Sequence, residues 1–207
     1  MVQSINFAGL RGVFSLLRRP SMAMPHLVVD DINSIPFSSL KQAGFKAIAF
    51  DKDNTLAAPY VNQIHPPLQD SWSDCLYTFG SVNVAIVSNS AGSSDDKDYV
   101  EASKVEQAFG VRVLRHAEKK PAGGQELVAH FRCQPHEIIF VGDRISTDIL
   151  YATRMGAYAI LINRIVTEKN DNWMAKHIRK LERLLLNTLE KGGYKPNPHI
   201  LVEQQNG

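Results

Sequence analysis

The chain has 207 residues, 44% hydrophobic and 21% charged, with 23 Lys and Arg against 21 Asp and Glu. That composition excludes a disordered, fibrous or disulfide-scaffolded polypeptide, and a chain of this length folds as about one domain without cross-links or a metal. The net charge of +2 is too small to point to nucleic acid, and Cys75 and Cys133 sit in neither a CxxC pair nor a zinc spacing.

The N-terminal segment is basic: Arg11, Arg18 and Arg19 precede the first acidic residue, Asp30. Phe7, Leu10, Phe14 and Leu17 recur at helical spacing, although Gly9 and Gly12 weaken the helix and Pro20 and Pro25 interrupt it. Residues 1–26 therefore read as an amphipathic segment. Three roles suit it: a first helix packed on the core, a targeting peptide, or an interfacial helix with Arg11, Arg18 and Arg19 near anionic headgroups. No apolar run approaches the roughly 20 residues that cross a bilayer.

From residue 27 to 168 the pattern alternates. Apolar, β-branched runs at 46–50, 82–89, 111–114, 137–143 and 158–162 predict five strands, and helical patterns lie near 67–79, 96–109, 122–131 and 146–155. Continuous apolar strands flanked by helices predict an α/β fold, with a five-stranded parallel sheet covered on both faces. Neither the segment after Asp51 nor the one after Ser88 is long enough for a cap domain. Residues 169–195 predict an amphipathic helix. Its apolar stripe is Met174, Ile178, Leu181, Leu185 and Leu189, and Lys176, Arg179, Lys180 and Arg183 lie on other faces. It either docks on the domain or contributes to anionic-membrane contact. Residues 196–207 predict a loose tail.

Ligands of such sheets bind beyond the carboxyl ends of the strands, where this sequence places polar residues. Asp51 and Asp53 follow the first predicted strand. One carboxylate can attack while the other handles protons, and the loop of Lys52, Asn54 and Thr55 can cradle an anion. Taken alone, the pattern also suits an Asx-turn. Ser88 and Asn89 can hydrogen-bond a phosphoryl oxygen. Lys119 and Lys120 precede Pro121, where a lysine can neutralise a phosphoryl group. Asp143 can ligate a hard cation together with Asp51, and oxygen ligands beside phosphate favour Mg²⁺. Asp148, five residues on, either faces the same pocket or belongs to a helix N-terminal turn with Ser146 or Thr147. Arg115, His116 and Arg144 are weaker candidates for a substrate headgroup. His65, His130 and His177 show no metal-ligand spacing, and Trp72 spaced with Leu76 and Phe79 reads as core.

The ordered set Asp51-Lys-Asp53-Asn-Thr55, Ser88-Asn89, Lys120-Pro121 and Gly142-Asp143 with Asp148 resembles the four motifs of the haloacid dehalogenase superfamily of phosphohydrolases. RRPSMAMPHLVV (18–29), VSNSAGSSDDKDY (87–99), VLRHAEKKP (113–121) and VGDRISTDIL (141–150) resemble, more narrowly, the mitochondrial phosphatidylglycerophosphate phosphatases of fungi. The resemblance implies a capless Rossmann-like three-layer sandwich. It makes Asp51 the nucleophile, Asp53 the general acid/base, and Ser88 and Lys120 phosphate binders. Mg²⁺ would be held by Asp51, the Asp53 carbonyl and Asp143, with Asp148 behind them. It further implies hydrolysis of phosphatidylglycerophosphate to phosphatidylglycerol, the cardiolipin precursor, by a peripheral enzyme on the matrix face of the inner mitochondrial membrane. A soluble phosphatase for sugar or nucleotide monophosphates and a non-enzymatic phospho-receiver are the alternatives. Asp53 argues against the receiver. The sequence leaves the oligomeric state open.

Overall fold

The computed structural model describes residues 19–167 and 173–203. Phe7, Leu10, Arg11, Phe14, Leu17 and Arg18 lie outside them; Arg19 is exposed. Six strands form one parallel sheet: β1 (Leu27–Val29), β2 (Ala47–Phe50), β3 (Val84–Ile86), β4 (Arg112–Val113), β5 (Ile138–Gly142) and β6 (Tyr158–Ile162). Their order is β1-β6-β5-β2-β3-β4. Five predicted strands thus become six. The addition is the three-residue β1, which pairs with β6 at an edge of the sheet. Pro25 before it and Asp30–Asp31 after it leave no run long enough to read as a strand.

Alternate strand residues feed two cores, the period-two logic of a sheet covered on both sides. Ile48, Phe50, Ile86, Val141 and Ile160 point to one face. There they meet helices α1 (Phe37–Gln42), α2 (Gln69–Phe79) and α3 (Val100–Phe109). Trp72 of α2 is buried here, its Nε1 donating to the Phe109 carbonyl at 3.2 Å, as its spacing suggested. Ala49, Ala85, Phe140, Ala159 and Leu161 point to the other face, beneath α4 (Gln125–Phe131), α5 (Leu150–Met155) and α6 (Trp173–Lys191). Helix α4 starts three residues later than predicted because Gly123 and Gly124 adopt positive φ, which ordinary helix residues avoid. Neither residues 51–65 nor 87–96 form a cap unit.

Two boundaries move. Residues 20–26 belong to the domain: Ala23, Met24 and Pro25 are buried, the Thr153 hydroxyl donates to the Met22 carbonyl at 2.8 Å, and the His26 amide donates to the Ala159 carbonyl. The tail through Glu203 is docked, not loose. The His199 ring lies edge-on to Tyr158 and tilted on Phe45, and α7 (Ile200–Glu203) adds Leu201 and Val202 to the core. Helix α6 docks through Leu185 and Leu189 of the predicted stripe, joined by a neighbouring charged row. Leu181 is 65% exposed, whereas Arg179, Glu182 and Leu186 are buried. No helix among the described residues is long and apolar enough to cross a membrane.

Candidate active site

Strand order builds the site. The chain runs outward from β2 to β3 and β4, then crosses back to β5 and β6, so β2 sits at the point where the order reverses. Phe50 pairs with Val141 of β5 on one side and Ile86 of β3 on the other. The Asp51 amide donates to the Val141 carbonyl at 2.8 Å, and the Val87 amide donates to the Phe50 carbonyl at 2.9 Å. Asp51 is thereby locked between Asp143, which follows β5, and Ser88, which follows β3. Carboxylate oxygens of Asp51, Asp143 and Asp148 all lie within 4.8 Å of one another.

Lys120 reaches this cluster from the loop after β4. It is almost wholly buried; its Nζ donates to Asp51 Oδ1 at 2.6 Å and pairs with Asp148 Oδ1 at 2.7 Å. Burial disfavours its charge, but Asp148 and Asp51 outweigh that and hold its pKa above the ordinary lysine value. Burial raises Asp51 to about 7 against the pull of Lys120, with Asp148 and Asp53 adding to the rise. Burial, then repulsion from Asp148 and Asp51, raises Asp143 to about 8 against Arg179 and Arg144. Three buried carboxylates sharing so small a space call for more positive charge than one lysine supplies. An all-oxygen, hard donor set of this kind fits Mg²⁺, and among the described residues it is the one such group of three or more potential ligands.

The loop after β2 folds tightly over this centre. Amides of Leu56 and Ala57 donate to the Lys52 carbonyl, and Asn54 adopts the left-handed conformation that asparagine tolerates (φ +65°). The Thr55 hydroxyl is buried with no hydrogen-bond partner among the described residues, an unmet polar group in a loop expected to receive an anion. Asp53 lies at the mouth, its side chain about one-third exposed. Lys52 Nζ is 2.6 Å from its Oδ1, and Ser90 Oγ donates to its Oδ2 at 3.4 Å. Lys52 itself is buried and also donates to the Val61 carbonyl, so its ammonium fastens the loop.

Several expected ligand contacts are spent on the protein instead. Asn89 brackets the Lys120 backbone, its Oδ1 accepting from the amide at 2.8 Å and its Nδ2 donating to the carbonyl at 3.3 Å; it positions the lysine. His116 places Nε2 2.9 Å from the Ser88 carbonyl and Nδ1 2.7 Å from the Glu118 carbonyl. It ties the Ser88 loop to the lysine loop. Arg115 is paired with Glu106 and lies over the Tyr99 ring. Arg144 faces Glu182 at 3.5 Å. None of Arg115, His116 and Arg144 therefore carries the headgroup reading forward.

Helix α6 supplies what sequence reasoning missed. Arg179 Nη1 donates to Asp143 Oδ2 at 3.1 Å, and Arg183 Nη2 donates to the Asp143 carbonyl at 3.4 Å and to the Ile162 carbonyl. Between them, Glu182 accepts from the amides of Ile145 and Ser146, at 3.1 and 3.2 Å, and from the Ser146 hydroxyl. Those amides open a π-helical turn, Ile145–Ile149, that continues into α5. Its first donors have no partner within the turn, so a carboxylate there both caps and neutralises it. The same turn presents Asp148, whose Oδ2 accepts the Arg144 amide at 3.0 Å. Asp148 is thus both a member of the pocket and part of a helical N-terminal turn. The signal was present as spacing: 179, 182, 183 and 186 form one helical stripe, but a charged one.

Comparison with known proteins agrees with this geometry. Residues 7–167 match the family model described as mitochondrial PGP phosphatase. Phosphatidylglycerophosphate phosphatase 1, chloroplastic/mitochondrial, of Arabidopsis thaliana is 40% identical over 97% of the chain, which spans 58% of that relative's length. The chloroplastic phosphatidylglycerophosphate phosphatase 1 of Chlamydomonas reinhardtii is 39% identical over 97% of the chain and 75% of its own length. A mitochondrial phosphatidylglycerophosphatase of Saccharomyces cerevisiae is 36% identical over 87% of the chain and 99% of its own length. No solved structure matches. An open parallel sheet, the four motifs gathered at its carboxyl edge and a match over most of the sequence converge: the chain belongs to the mitochondrial PGP phosphatase family.

Proposed function

We propose that this protein is a Mg²⁺-dependent phosphatase that converts phosphatidylglycerophosphate to phosphatidylglycerol and inorganic phosphate. The observation that carries the chemistry is the buried Asp51–Lys120–Asp148 chain beside Asp143 at the sheet's switch point. The substrate follows from the names of the relatives.

In this reading Asp51, the Asp53 carbonyl and Asp143 would hold Mg²⁺, with Asp148 supporting the cluster. Bound there, the ion would offset repulsion between a carboxylate nucleophile and a phosphate dianion. An Asp51 oxygen attacks the terminal phosphorus, the bond from phosphorus to the glycerol oxygen breaks, and Asp53 gives its proton to that oxygen. Water then attacks the aspartyl-phosphate while Asp53 takes a proton from it. Phosphate leaves and Asp51 is regenerated. Ser88, Lys120 and the Lys52–Thr55 loop bind the phosphoryl oxygens. With no cap unit among the described residues, the site is open to a headgroup still attached to its lipid. The basic residues 7–19 attach the enzyme to the anionic matrix face of the inner mitochondrial membrane, in the route to cardiolipin. Liposome flotation with and without residues 1–18 tests that attachment, and equal flotation of both forms would remove it.

The catalytic reading is tested by phosphate release from phosphatidylglycerophosphate vesicles, with and without Mg²⁺, beside glycerol 3-phosphate and nucleotide monophosphates. Preference for the lipid is the expected result. Equal or faster turnover of the small esters would favour a general phosphomonoesterase.

A further inference from the structure

The three carboxylates of the active site do not share one counter-ion. Lys120 pairs with Asp51 at 2.6 Å and with Asp148 at 2.7 Å. Asp143 takes an arginine of the C-terminal helix, Arg179 Nη1 donating to its Oδ2 at 3.1 Å. Both partners are buried, Arg179 at 8% exposure and Asp143 at 3%. Stability does not call for an arginine there. A buried ion pair must offset the desolvation of both charges, and well-packed apolar side chains of similar volume often hold a helix as well or better. Leu185, Leu186 and Leu189 already supply such a dock.

What the arginine adds is direction. A carboxylate without partners turns about χ2 at little cost, whereas one gripped at a single oxygen by a guanidinium presents the other in a fixed plane. The same helix holds the backbone beneath. Arg183 donates to the Asp143 carbonyl at 3.4 Å, and Glu182 accepts from the amides of Ile145 and Ser146. Positions 179, 182 and 183 share one helix face. One rigid element therefore grips the Asp143 side chain, its carbonyl and the turn that follows.

We infer that Arg179 is a positioning residue for Asp143, and that through it helix α6 sets the affinity of the site for Mg²⁺; this rests on the reading that Asp143 holds the ion. The guanidinium has two opposed effects. As a cation it repels Mg²⁺, so removing it would tighten binding. As a donor it orients a ligand, so removing it would loosen binding. Loss of the hydrogen-bond partner of a metal-ligating group typically weakens metal affinity about 10–100-fold, and orientation prevails here.

The test is isothermal titration calorimetry of the full-length, metal-free protein with MgCl₂, beside thermal melting without Mg²⁺. Arg179→Met removes both charge and donors and should raise the Mg²⁺ Kd at least ten-fold. Arg179→Lys keeps the charge but replaces the planar fork with a flexible point donor, and its Kd should fall between those of Arg179→Met and wild type. Lys180→Gln, at the exposed next position, removes a neighbouring charge and should leave Kd within about two-fold of wild type. Arg179→Met that binds Mg²⁺ as tightly as wild type, or more tightly, overturns the inference. So does a lower metal-free Tm with an unchanged Kd, the signature of a merely structural ion pair. Should Arg179→Met fail to fold, Arg179→Lys decides: a Kd at least about three-fold above wild type supports positioning, and a smaller change overturns it. Wild-type protein that binds no Mg²⁺ refutes the metal reading itself, whereas tight binding by wild type and Arg179→Met alike refutes the positioning role alone.

Discussion

Replacing Glu182 by alanine isolates the contribution of helix α6 to the active site. The carboxylate accepts from two backbone amides and one hydroxyl and faces Arg144, and Ile145 and Ser146 are almost fully buried. Each buried amide left without an acceptor costs about 1–3 kcal/mol. Truncating one partner of a buried charged network typically costs about 3–5 kcal/mol in all, because neighbouring losses overlap. At about 2–4 °C per kcal/mol for a domain of this size, E182A should lower Tm by roughly 6–20 °C. Glu182→Gln keeps an acceptor oxygen and should fall between E182A and wild type. Leu181→Ala, on the exposed stripe, should stay within about 0.5 kcal/mol of wild type. Urea denaturation with a constant m-value is the assay. An E182A protein within about 1 kcal/mol of wild type would show that the helix does not hold the π-helical turn in place.

Further outcomes follow from other contacts. A Cβ on Gly142 would stand 2.4 Å from Asp148 Cβ and 2.6 Å from its Oδ2. Gly142→Ala should therefore displace Asp148 from Lys120 and lower kcat at least ten-fold while the protein stays folded, read by phosphate release and circular dichroism. Mg²⁺ that binds only the folded state at about 100 times its Kd should stabilise wild type by about 2.7 kcal/mol. Differential scanning calorimetry should show that rise, and Asp143→Asn should abolish most of it. Asp96 is buried, and the burial penalty is outweighed by amides of Gly92, Ala102 and Glu101 that donate to its carboxylate and hold its pKa below the ordinary value. A depressed folded-state pKa contributes stability above the unfolded value of about 3.9, and that stability is lost as pH falls toward the folded one. The stability gap between wild type and Asp96→Asn should therefore narrow below about pH 4 in acid titrations.

The parts that read directly from sequence share a local cause. Buried parallel strands are continuous apolar runs, and their carboxyl ends expose whatever polar residue comes next, so Asp51, Ser88 and Asp143 were legible from position alone. The two lysines before Pro121 were legible from type and place, and the four-motif resemblance singled out Lys120. What stayed hidden depends on long-range packing. Strand β1 is too short to announce itself and exists because β6 offers an edge. Arg179, Glu182 and Arg183 lie more than thirty residues beyond Asp143, on a helix whose apolar stripe suggested an ordinary hydrophobic dock. Charged residues bury only when a partner awaits them, and the partners here belong to another element. The Asn89 amide looked like a phosphate ligand for the same reason: its attachment to the Lys120 backbone spans 31 positions.

The mechanism stands on covalent capture of phosphate at one side chain. Wild-type protein mixed with phosphatidylglycerophosphate and Mg²⁺, quenched within one turnover and reduced with borohydride, converts an aspartyl-phosphate to homoserine. Peptide mass spectrometry should find homoserine at position 51 and nowhere else, with none in Asp51→Asn. Turnover of the lipid without that product, or the same product at Asp143 or Asp148, would contradict nucleophilic attack by Asp51.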